Sequence, residues 1–525
     1  MMHDPRAFRL VICASLAAFV SAVCSSGYIT PDSLASTQMA RNAFTATSSA
    51  FVPSLTPTEL PSVTPTPWES TPTSLVLPSA TPLESPSPAP PYLYSAQSGD
   101  TLAALAVRFG VEASQIASPQ DIPTGLINIG QIFTIPNLLG VTSPNEHLLP
   151  DSEVIYSPSA VGFDAQSYAE PYAGYLMSYR EYLPSGWHNG PGVVEGTAIE
   201  NSINPRLLLS ILQFKSNWVL GEPLEGTSEY YPIGNIDSQP RGLYHQLTWA
   251  ARQLSVGYYG WREGRLRELT FRDGTTLRIA PDLNAGSVAI QYLFSQLYSY
   301  EDWLKVINKD TGFPFTHASM FPDPWLRAAQ TEPLFPPALS QPALSLPFYE
   351  NQVWYFTSGP HGAWERDGAM AALDFAPSST RPGCNESSSW ITAAAPGLVV
   401  RTSTGVIVVD MDGDGNEQTG WVILYLHVLQ DGTIKVGDWV DRGDQLGHPS
   451  CHGGVATGTH LHIARKYNGE WMAAAGPVPF VLSGWVVQDG GAPYLGSMVR
   501  DGKTITACTC SGLQTRITRS SNDPY

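Results

Sequence analysis

Two histidines stand one residue apart in the segment "TGTHLHIARKYNGEW", which covers residues 457–471. The segment follows a Gly/Thr turn and reads as a β-strand, in which successive side chains point to opposite faces. His460 and His462 are therefore predicted to project from one face, and Leu461 from the other. Such a pair could bind a metal ion or transfer protons, but an unliganded pair of histidines fits the same pattern. A functional site thus requires partners elsewhere in the chain.

Three more candidate residues precede this pair. His427 lies near the end of "WVILYLHV", a strand-like run in which it is predicted to share a face with Tyr425. His361 and Asp374 flank the segment "GAWERDGAMAAL" and stand thirteen positions apart (374 − 361 = 13). Taken alone, His427 and His361 are each also consistent with an ordinary, partly buried histidine.

The elements that must position these residues are short β-runs separated by turn signals. They begin after a Pro-rich hinge at residues 332–347 and include "VWYF", "AALDFA", "GLVVRT", "VIVVD", "WVILYLHV", "DWV" and "HLHIA". This pattern predicts a compact antiparallel β domain. Within it, "VGDWVDRGDQLGHPSCHGGVATGTHLHI" closely resembles the end of the lysostaphin/LytM-type metallopeptidases, and "ITAAAPGLVV" and "LYLHV" are similar to two of their strands. The resemblance extends from about Trp354 to Trp471.

One motif departs from the usual form of that family. Its first motif is HxxxD, but Met370 occupies the histidine position four residues before Asp374. The segment "FTSGPHGAWERDGAMAALDFAP" instead resembles the β-lytic, staphylolysin-like branch, in which a GGxH loop supplies the histidine. In this chain that histidine is His361.

The resemblance implies a complete catalytic site. One zinc ion per chain would be held by His361, Asp374 and His462, a donor set that suits zinc and leaves a position open for water. His427 and His460 would handle the proton and the oxyanion, and the sequence does not decide which of them is the base.

An acidic loop lies within the same domain. Asp410, Asp412 and Asp414 alternate before Gly415 in "VVDMDGDGNEQTGW", as in a calcium-binding loop. The twelfth position, where such a loop has a bidentate Glu, is Trp421. The pattern therefore favours a solvated hairpin turn, with a weak calcium site as the alternative.

The segment from Tyr92 to Asn137 has a strand-like start, an "SGDT" turn, two short amphipathic helices and a closing strand, "QIFTIP". Ser98 or Asp100 is predicted to cap the first helix. The segment closely resembles a LysM module over essentially its whole length. LysM modules bind N-acetylglucosamine glycans, and the resemblance implies peptidoglycan binding through five residues: Gly99, Asp100, Thr101, Ile122 and Pro123.

Residues 150–331 are predicted to be mainly helical. "NPRLLLSILQFKSNWV" has an N-cap at Asn204 followed by Pro, and "GLYHQLTWAARQLSVGYYGW" and "LNAGSVAIQYLFSQLYSY" are also amphipathic. The segment faintly resembles lysozyme-like lytic transglycosylases, where such a helix presents a catalytic Glu followed by Ser. Here Lys215 takes the place of that Glu, and glycoside cleavage needs a carboxylic acid. The prediction is an inactive glycan-binding or spacer domain, although Glu195 and Glu200 lie just upstream.

Composition sets the cellular context. The chain has 525 residues and a net charge of −18, and without clustered Lys and Arg it is not expected to bind nucleic acid. Arg6 and Arg9 precede an apolar run that ends at Cys24, as in a secretory signal. Cleavage near Ala22 is favoured over two alternatives, a lipid anchor at Cys24 and an uncleaved N-terminal anchor. An anchor of this kind would be the only attachment of the protein to a membrane. The Pro/Ser/Thr-rich residues 25–91 are predicted to be a disordered stalk.

Four cysteines lie in the C-terminal third. In an exported protein they are expected to form disulfides, and Cys384 with Cys451 is the predicted pair. Cys508 and Cys510 lie too close together in sequence to bond each other without strain, and the sequence leaves their pairing open.

Together these features predict a multidomain, exported protein, extracellular or at the cell surface, that hydrolyses peptide stems or cross-bridges of peptidoglycan. The alternative is a catalytically inactive protein that binds peptidoglycan and positions other wall enzymes. The predicted segments are a leader (1–24), the stalk (25–91), an α+β LysM domain (92–137), the helical domain (150–331), an all-β peptidase domain (345–490) and a C-terminal extension (491–525).

Overall fold

The computed structural model of the protein describes residues 89–226, 228–236, 241–364, 366–378, 383–510 and 512–524. The predicted leader and all but the last three positions of the predicted stalk lie outside these residues. Within the described part, no helix combines the length and the apolar character that a bilayer crossing requires.

The LysM segment folds as a small α+β unit. Strand β1 (Tyr92–Ser95) pairs antiparallel with β2 (Ile132–Ile135), and helix α1 (Leu102–Phe109) lies between them in sequence. The unit has its own cluster of buried apolar side chains. The N-cap of α1 is Thr101, whose hydroxyl accepts a hydrogen bond from the amide of Ala104 at 3.2 Å. The predicted capping by Ser98 or Asp100 is therefore wrong.

The middle segment is mainly helical, as predicted. The helix with Asn204 as its N-cap begins at Pro205, and the Asn204 side chain accepts from the amide of Arg206 at 3.0 Å. Two short hairpins accompany the helices, β3 (Arg180–Leu183) with β4 (Gly186–Asn189) and β5 (Glu268–Thr270) with β6 (Thr276–Arg278). The helices are α2 (Ala165–Ala169), α3 (Tyr175–Ser178), α4 (Gly190–Asn201), α5 (Pro205–Ser216), α6 (Leu243–Arg262), α7 (Ala285–Ser295), α8 (Tyr300–Val306), α9 (Phe313–Met320) and α10 (Pro324–Ala328).

The C-terminal third is all β and antiparallel, as predicted. Its main sheet has the order β13-β10-β11-β12-β15-β8-β7-β21, with β9, β14 and β16 paired at its margins. A second sheet has the order β17-β18-β19-β20. The strands are β7 (Val353–His361), β8 (Ala372–Pro377), β9 (Ile391–Thr392), β10 (Gly397–Ser403), β11 (Gly405–Asp410), β12 (Trp421–Leu429), β13 (Trp439–Val440), β14 (Gln445–Pro449), β15 (Leu461–Tyr467), β16 (Glu470–Trp471), β17 (Val481–Leu482), β18 (Trp485–Asp489), β19 (Gly496–Arg500), β20 (Lys503–Thr506) and β21 (Arg516–Thr518).

The two faces of the main sheet pack against different partners. In β12, Ile423 and Tyr425 belong to the core within the β domain. Val422, Leu424 and Leu426 belong instead to one continuous apolar cluster with the buried side chains of the helical domain. Because strand residues alternate between faces, the helical domain covers the central strands of one face of this sheet.

The described residues from 491 to 524 continue the β structure of this third of the chain. β18 pairs with β19, so pairing crosses residue 490, where the sequence predicts a boundary, and β21 pairs with β7. Cys384 and Cys451, the pair predicted from the sequence, form a disulfide with their Cα atoms 5.7 Å apart. Cys508 and Cys510, whose pairing the sequence left open, are also joined. Their Cα atoms are 5.1 Å apart, a separation that a disulfide can span.

Candidate metal and catalytic site

Three neighbouring strands bring the candidate metal ligands together. His361 ends β7, Asp374 lies in β8 and His462 lies in β15. His462 stands directly opposite Asp374 on one side and Leu426 on the other. Residues directly opposite in a sheet share a face, so the site lies on the face that the helical domain covers.

The ligand atoms of this cluster lie close to one another. Nε2 of His361 is 3.1 Å from Nδ1 of His462, and each nitrogen is 3.3 Å from Oδ1 of Asp374. All three side chains are buried. Their sequence separation is large, so only the sheet brings them into contact.

Backbone carbonyls determine which ring nitrogen faces the cluster. Nδ1 of His361 donates to the carbonyl of Gly359 at 2.9 Å, and Nε2 of His462 donates to that of Ala363 at 2.9 Å. These hydrogen bonds assign the protons to the outer nitrogens and leave lone pairs on the inner ones. Two imidazole lone pairs and a carboxylate oxygen therefore converge on one point.

His460 and His427 lie beside this cluster. The ring centroids of the two histidines are 4.5 Å apart, and Nε2 of His460 is 3.6 Å from Oδ1 of Asp374. Nδ1 of His460 donates to the carbonyl of Gly458 at 2.7 Å, and Nδ1 of His427 donates to that of His452 at 2.8 Å. Both rings thus keep Nε2 available as an acceptor.

His427 does not share a face with Tyr425, contrary to the prediction. Its φ of 64° breaks the extended backbone near the end of β12, so the alternation of side chains fails at this residue. Tyr425 stays in the core of the β domain, where its hydroxyl accepts from the amide of Ala394. His427 instead turns toward His460 and His462, whose ring centroid is 6.0 Å from its own.

Burial and the mutual charges of the cluster shift the pKa values of its side chains. Burial alone would raise the pKa of the Asp374 carboxyl, but the His361 and His460 imidazoles hold that pKa well below its usual range. Burial opposes protonation of His361, yet the Asp374 carboxylate outweighs it and raises the pKa of His361. Burial lowers the pKa of His462, and burial together with the neighbouring histidines lowers that of His427 to about 3. The site thus favours an ionised Asp374 carboxylate and neutral imidazoles at His427 and His462.

These residues fit a zinc ion. Oδ1 of Asp374 is buried and has no hydrogen-bond donor, which is costly for a carboxylate oxygen unless a cation lies beside it. A tetrahedral zinc ion with bonds of about 2.0–2.1 Å separates its ligand atoms by roughly 3.3–3.4 Å. The observed separations of 3.1–3.3 Å match that spacing.

A further residue, which no sequence motif indicates, lies at the site. The ring of Tyr494 stacks on His361 with centroids 4.7 Å apart and 22° between the ring planes. Its amide donates to the carbonyl of Pro360, and its φ is 72°, an unusual value for a tyrosine. Tyr494 lies in the predicted C-terminal extension, far in sequence from every motif, so no local signal could have identified it.

The loop between β7 and β8 is held by the helical domain. The amide of Met370 donates to the Glu263 carboxylate at 3.2 Å, and Arg265 donates to the carbonyl of Gly368 at 2.9 Å. Arg252 forms an ion pair with Asp367. This loop joins His361 to Asp374. The helical domain therefore contacts the segment that connects two of the candidate metal ligands.

The remaining candidate residues lie elsewhere. Asp410, Asp412 and Asp414 bring carboxylate oxygens within 4.8 Å of one another in the loop between β11 and β12, and burial raises the pKa of Asp410 to about 6. Hydrogen bonds from the amides of Gly415 and Asp412 to Asp410 give the loop the form of a turn.

The predicted glycan-binding residues of the LysM unit are not equally accessible. Gly99 and Asp100 are buried, whereas Thr101, Ile122 and Pro123 are half-buried. Asp100 is occupied within the unit, because it accepts from the Tyr94 hydroxyl at 2.6 Å and pairs with Arg108 at 2.6 Å. The Asp100 side chain is therefore a structural group in this fold.

Family comparisons agree with this organisation. Residues 94–136 match the family described as "LysM domain", and residues 147–334 match "LasA, N-terminal domain". The helical segment with the faint transglycosylase resemblance thus matches a domain of LasA. The chain thus combines a LysM match with a LasA N-terminal domain match and a β domain that is similar to LytM-type metallopeptidases.

The individual proteins to which the chain is similar have names that describe proteases. The chain is 27% identical over 352 residues to "Protease LasA" of Pseudomonas aeruginosa, which covers 62% of this chain and 75% of the relative. It is 25% identical over 158 residues to "Beta-lytic metalloendopeptidase" of Achromobacter lyticus, covering 29% of this chain and 39% of the relative. Among solved structures, it is similar to "A Novel M23 Metalloprotease Pseudoalterin from Deep-sea", with 23% identity, a TM-score of 0.29, and coverage of 34% of this chain and 100% of the other.

Proposed function

We propose that the protein is an exported zinc endopeptidase that hydrolyses peptide stems or cross-bridges of bacterial peptidoglycan and binds the glycan through its LysM module. The observation that carries the proposal is the convergence of the inner nitrogens of His361 and His462 on the donorless oxygen of Asp374. Three electron-rich atoms at this spacing repel one another unless a cation lies between them. The names of the relatives, a protease and a metalloendopeptidase, support the same reaction class.

The proposed ligands are His361, Asp374 and His462. A bound zinc ion would supply a Lewis acid that polarises a peptide carbonyl and makes water more acidic. The carbonyls of Gly359 and Ala363 keep the two imidazoles in the tautomers that can bind it.

His460 and His427 would transfer the protons. The His460 side chain is 16% exposed, more than the three proposed ligands, so it can contact substrate or an attacking water. With Nδ1 held by the Gly458 carbonyl, Nε2 of His460 can accept a proton in a fixed direction. His427 is 3% exposed and lies behind His460, where it can stabilise charge on that ring or on the tetrahedral intermediate.

The second candidate function is a silent protein that binds peptidoglycan and positions other wall enzymes. The covering of the site-bearing sheet face by the helical domain favours it, because a closed face limits access for a substrate. Both functions include zinc binding, and only the endopeptidase cleaves.

Metal content tests the site first. The purified full chain is expected to contain one zinc ion, and His361→Ala is expected to lose it. His448→Ala is the matched control, since His448 lies in the same domain with its ring against Trp390 and its Nδ1 on the Ser389 carbonyl. Retention of stoichiometric zinc by His361→Ala would show that the ligand set is wrong.

Digestion of purified sacculi tests the reaction. Wild-type protein is expected to release fragments with new amino termini, and His460→Ala is expected to release none while it keeps its zinc. If zinc-loaded protein produces no new amino termini, before or after cleavage of the exposed linker at residues 336–340, the endopeptidase is excluded and the silent binding protein remains.

A further inference from the structure

The LysM loop that follows β1 is covered by the helical domain. Nη1 of Arg262 donates to the carbonyl of Ser98, and a Cβ placed on Gly99 would lie 2.5 Å from that nitrogen. The Gln97 side chain donates to the carbonyl of Asp282 at 2.8 Å, and the amide of Phe335 donates to the Ser98 hydroxyl at 3.3 Å. The loop with Gly99 is therefore closed to a ligand in this arrangement.

The second predicted glycan-binding segment, Ile122 and Pro123, leads into a loop that contacts the rest of the protein at Gly125 and Leu126. A Cβ on Gly125 would lie 3.1 Å from the carbonyl oxygen of Pro477 in the β domain. Leu126 packs against the large apolar cluster that joins the helical and β domains. Both loops assigned to the glycan thus make contacts within the chain.

Arginine side chains hold much of this docking surface together. Arg108 donates to the carbonyl of Trp261 at 3.1 Å and stacks on its ring at 4.8 Å. At the same C-terminal end of α1, Arg278 donates to the carbonyls of Val107 and Arg108. Water can replace guanidinium–carbonyl hydrogen bonds at modest net cost. The LysM unit also keeps its own apolar core, so it can leave the surface without unfolding.

Arg262 connects this docking to the peptidase domain. The same guanidinium pairs with Asp151 at 2.8 Å and with Glu470 of β16 at 3.0 Å. It is buried, and the Ser98 carbonyl is one of its acceptors. Removal of the LysM unit exposes this guanidinium to water, which offsets the loss of that acceptor.

We propose that docking of the LysM unit and glycan binding by it are mutually exclusive, so that an N-acetylglucosamine strand binds only after the unit lifts from the helical domain. The inference rests on the proposed glycan binding and adds its regulation. A ligand that binds only the undocked state has an apparent affinity reduced by the undocked fraction. In the free protein the LysM unit therefore stays docked on the helical domain, and binding to a dense glycan surface shifts it to the undocked state.

A disulfide lock tests the proposal on the full chain. A Cβ on Gly264 would lie 3.5 Å from the Cβ of Ala104 in α1, which is within the range for a disulfide. Oxidised Ala104→Cys/Gly264→Cys is expected to bind an N-acetylglucosamine pentamer at least tenfold more weakly than wild type, and reduction is expected to restore binding. Wild type with the same reductant is the control, because Cys384–Cys451 is also exposed to it.

A second variant weakens docking without a cross-link. Arg278→Ala removes the hydrogen bonds to Val107 and Arg108 at the end of α1 opposite the glycan loops, and is expected to tighten pentamer binding severalfold. Arg267→Ala is the matched control, since Arg267 is exposed on the same surface and makes the same change of charge. Equal affinities for the locked and reduced forms would overturn the exclusion. If no form binds the pentamer, glycan binding itself fails, and the exclusion fails with it.

Discussion

Each of the four imidazoles at the candidate site makes one hydrogen bond to a backbone carbonyl. The acceptors are the carbonyls of Gly359, Ala363, His452 and Gly458. Without these bonds each ring could flip and present a protonated nitrogen to the cluster, which would repel a cation. The proposed zinc binding therefore depends on loop backbone as much as on the histidines.

Tyr494 offers a test at the scale of one side chain. Its ring packs on His361 at 4.7 Å and restricts rotation of that imidazole. Tyr494→Ala is expected to accelerate zinc loss to a chelator by about tenfold, the size of effect typical for residues that support a metal ligand. Tyr494→Phe keeps the stacked ring and should retain the wild-type rate. Equal rates for Ala and Phe variants would show that the stacking does not position His361.

Glu195 provides a prediction of pH dependence away from the site. Burial raises its pKa to about 7 from 4.5, against a hydrogen bond from the amide of Ala165 that favours the charged form. Between pH 4.5 and 7 the folded chain keeps a proton that the unfolded chain releases, so the free energy of unfolding falls as pH rises. Glu195→Gln removes this loss and should raise the free energy of unfolding at pH 8 by about 2 kcal/mol.

Urea unfolding at two pH values provides the measurement. At pH 4.5 the variant and wild type should have similar midpoints, and at pH 8 the variant should have the higher one. Glu332, whose pKa burial also raises to about 7, is present in both proteins and cancels in the difference. A variant that is equally or less stable at pH 8 contradicts the assignment.

Local chemistry decides which residues the sequence could identify. His460 and His462 could be placed on one face because strand alternation is a local rule, and Leu461 indeed lies in the opposite core. The same rule failed for His427, where a positive φ interrupts the strand. Tyr494 could not be found, because only tertiary packing brings it to His361.

At the scale of elements, the β7–β8 loop links the candidate site to the helical domain. Its ends carry His361 and Asp374, and its middle is fixed by Glu263 and Arg265 just after helix α6. A mobile loop would cost entropy each time the two ligands had to meet, so the contacts with the helical domain should favour metal binding.

The Arg265 contact tests this link. Arg265→Ala removes the donor to the Gly368 carbonyl and is expected to weaken zinc affinity by severalfold while the fold is kept. Arg267→Ala is the control, because it removes a nearby exposed arginine. Competition with a fluorescent zinc chelator gives the two affinities. If the Arg265 and Arg267 variants bind zinc equally well, the loop is held by other contacts.

Element boundaries were predictable where a capping signal was unambiguous. Asn204 followed by Pro205 marked the start of α5, and the structure starts the helix there. In the LysM unit three polar residues compete before α1, and the sequence could not show that Asp100 is engaged by Tyr94 and Arg108, which leaves the cap to Thr101.

At the scale of the whole molecule, the helical domain covers the sheet face that carries the candidate site. Residues from β11, β12 and β15, among them Val408, Leu424 and Ala464, share one buried cluster with it. Each domain's own pattern was predictable, but their docking was not, since alternation only requires that some apolar layer cover each face.

Cutting the chain between the two domains tests whether this cover limits access. Residues 336, 337, 338 and 340 are exposed in the segment that joins the helical and β domains. A site for a specific protease inserted after Ala338 should leave the intact variant as active as wild type. Cleavage followed by dissociation, measured by size-exclusion chromatography, should increase hydrolysis of peptidoglycan peptides at least tenfold, because the site-bearing face becomes open.

The control carries the same insertion with an uncleavable bond. Because the apolar cluster spans both parts, cleavage without dissociation should leave activity unchanged; an equal rate after full separation would show that the covered face is not the substrate's route.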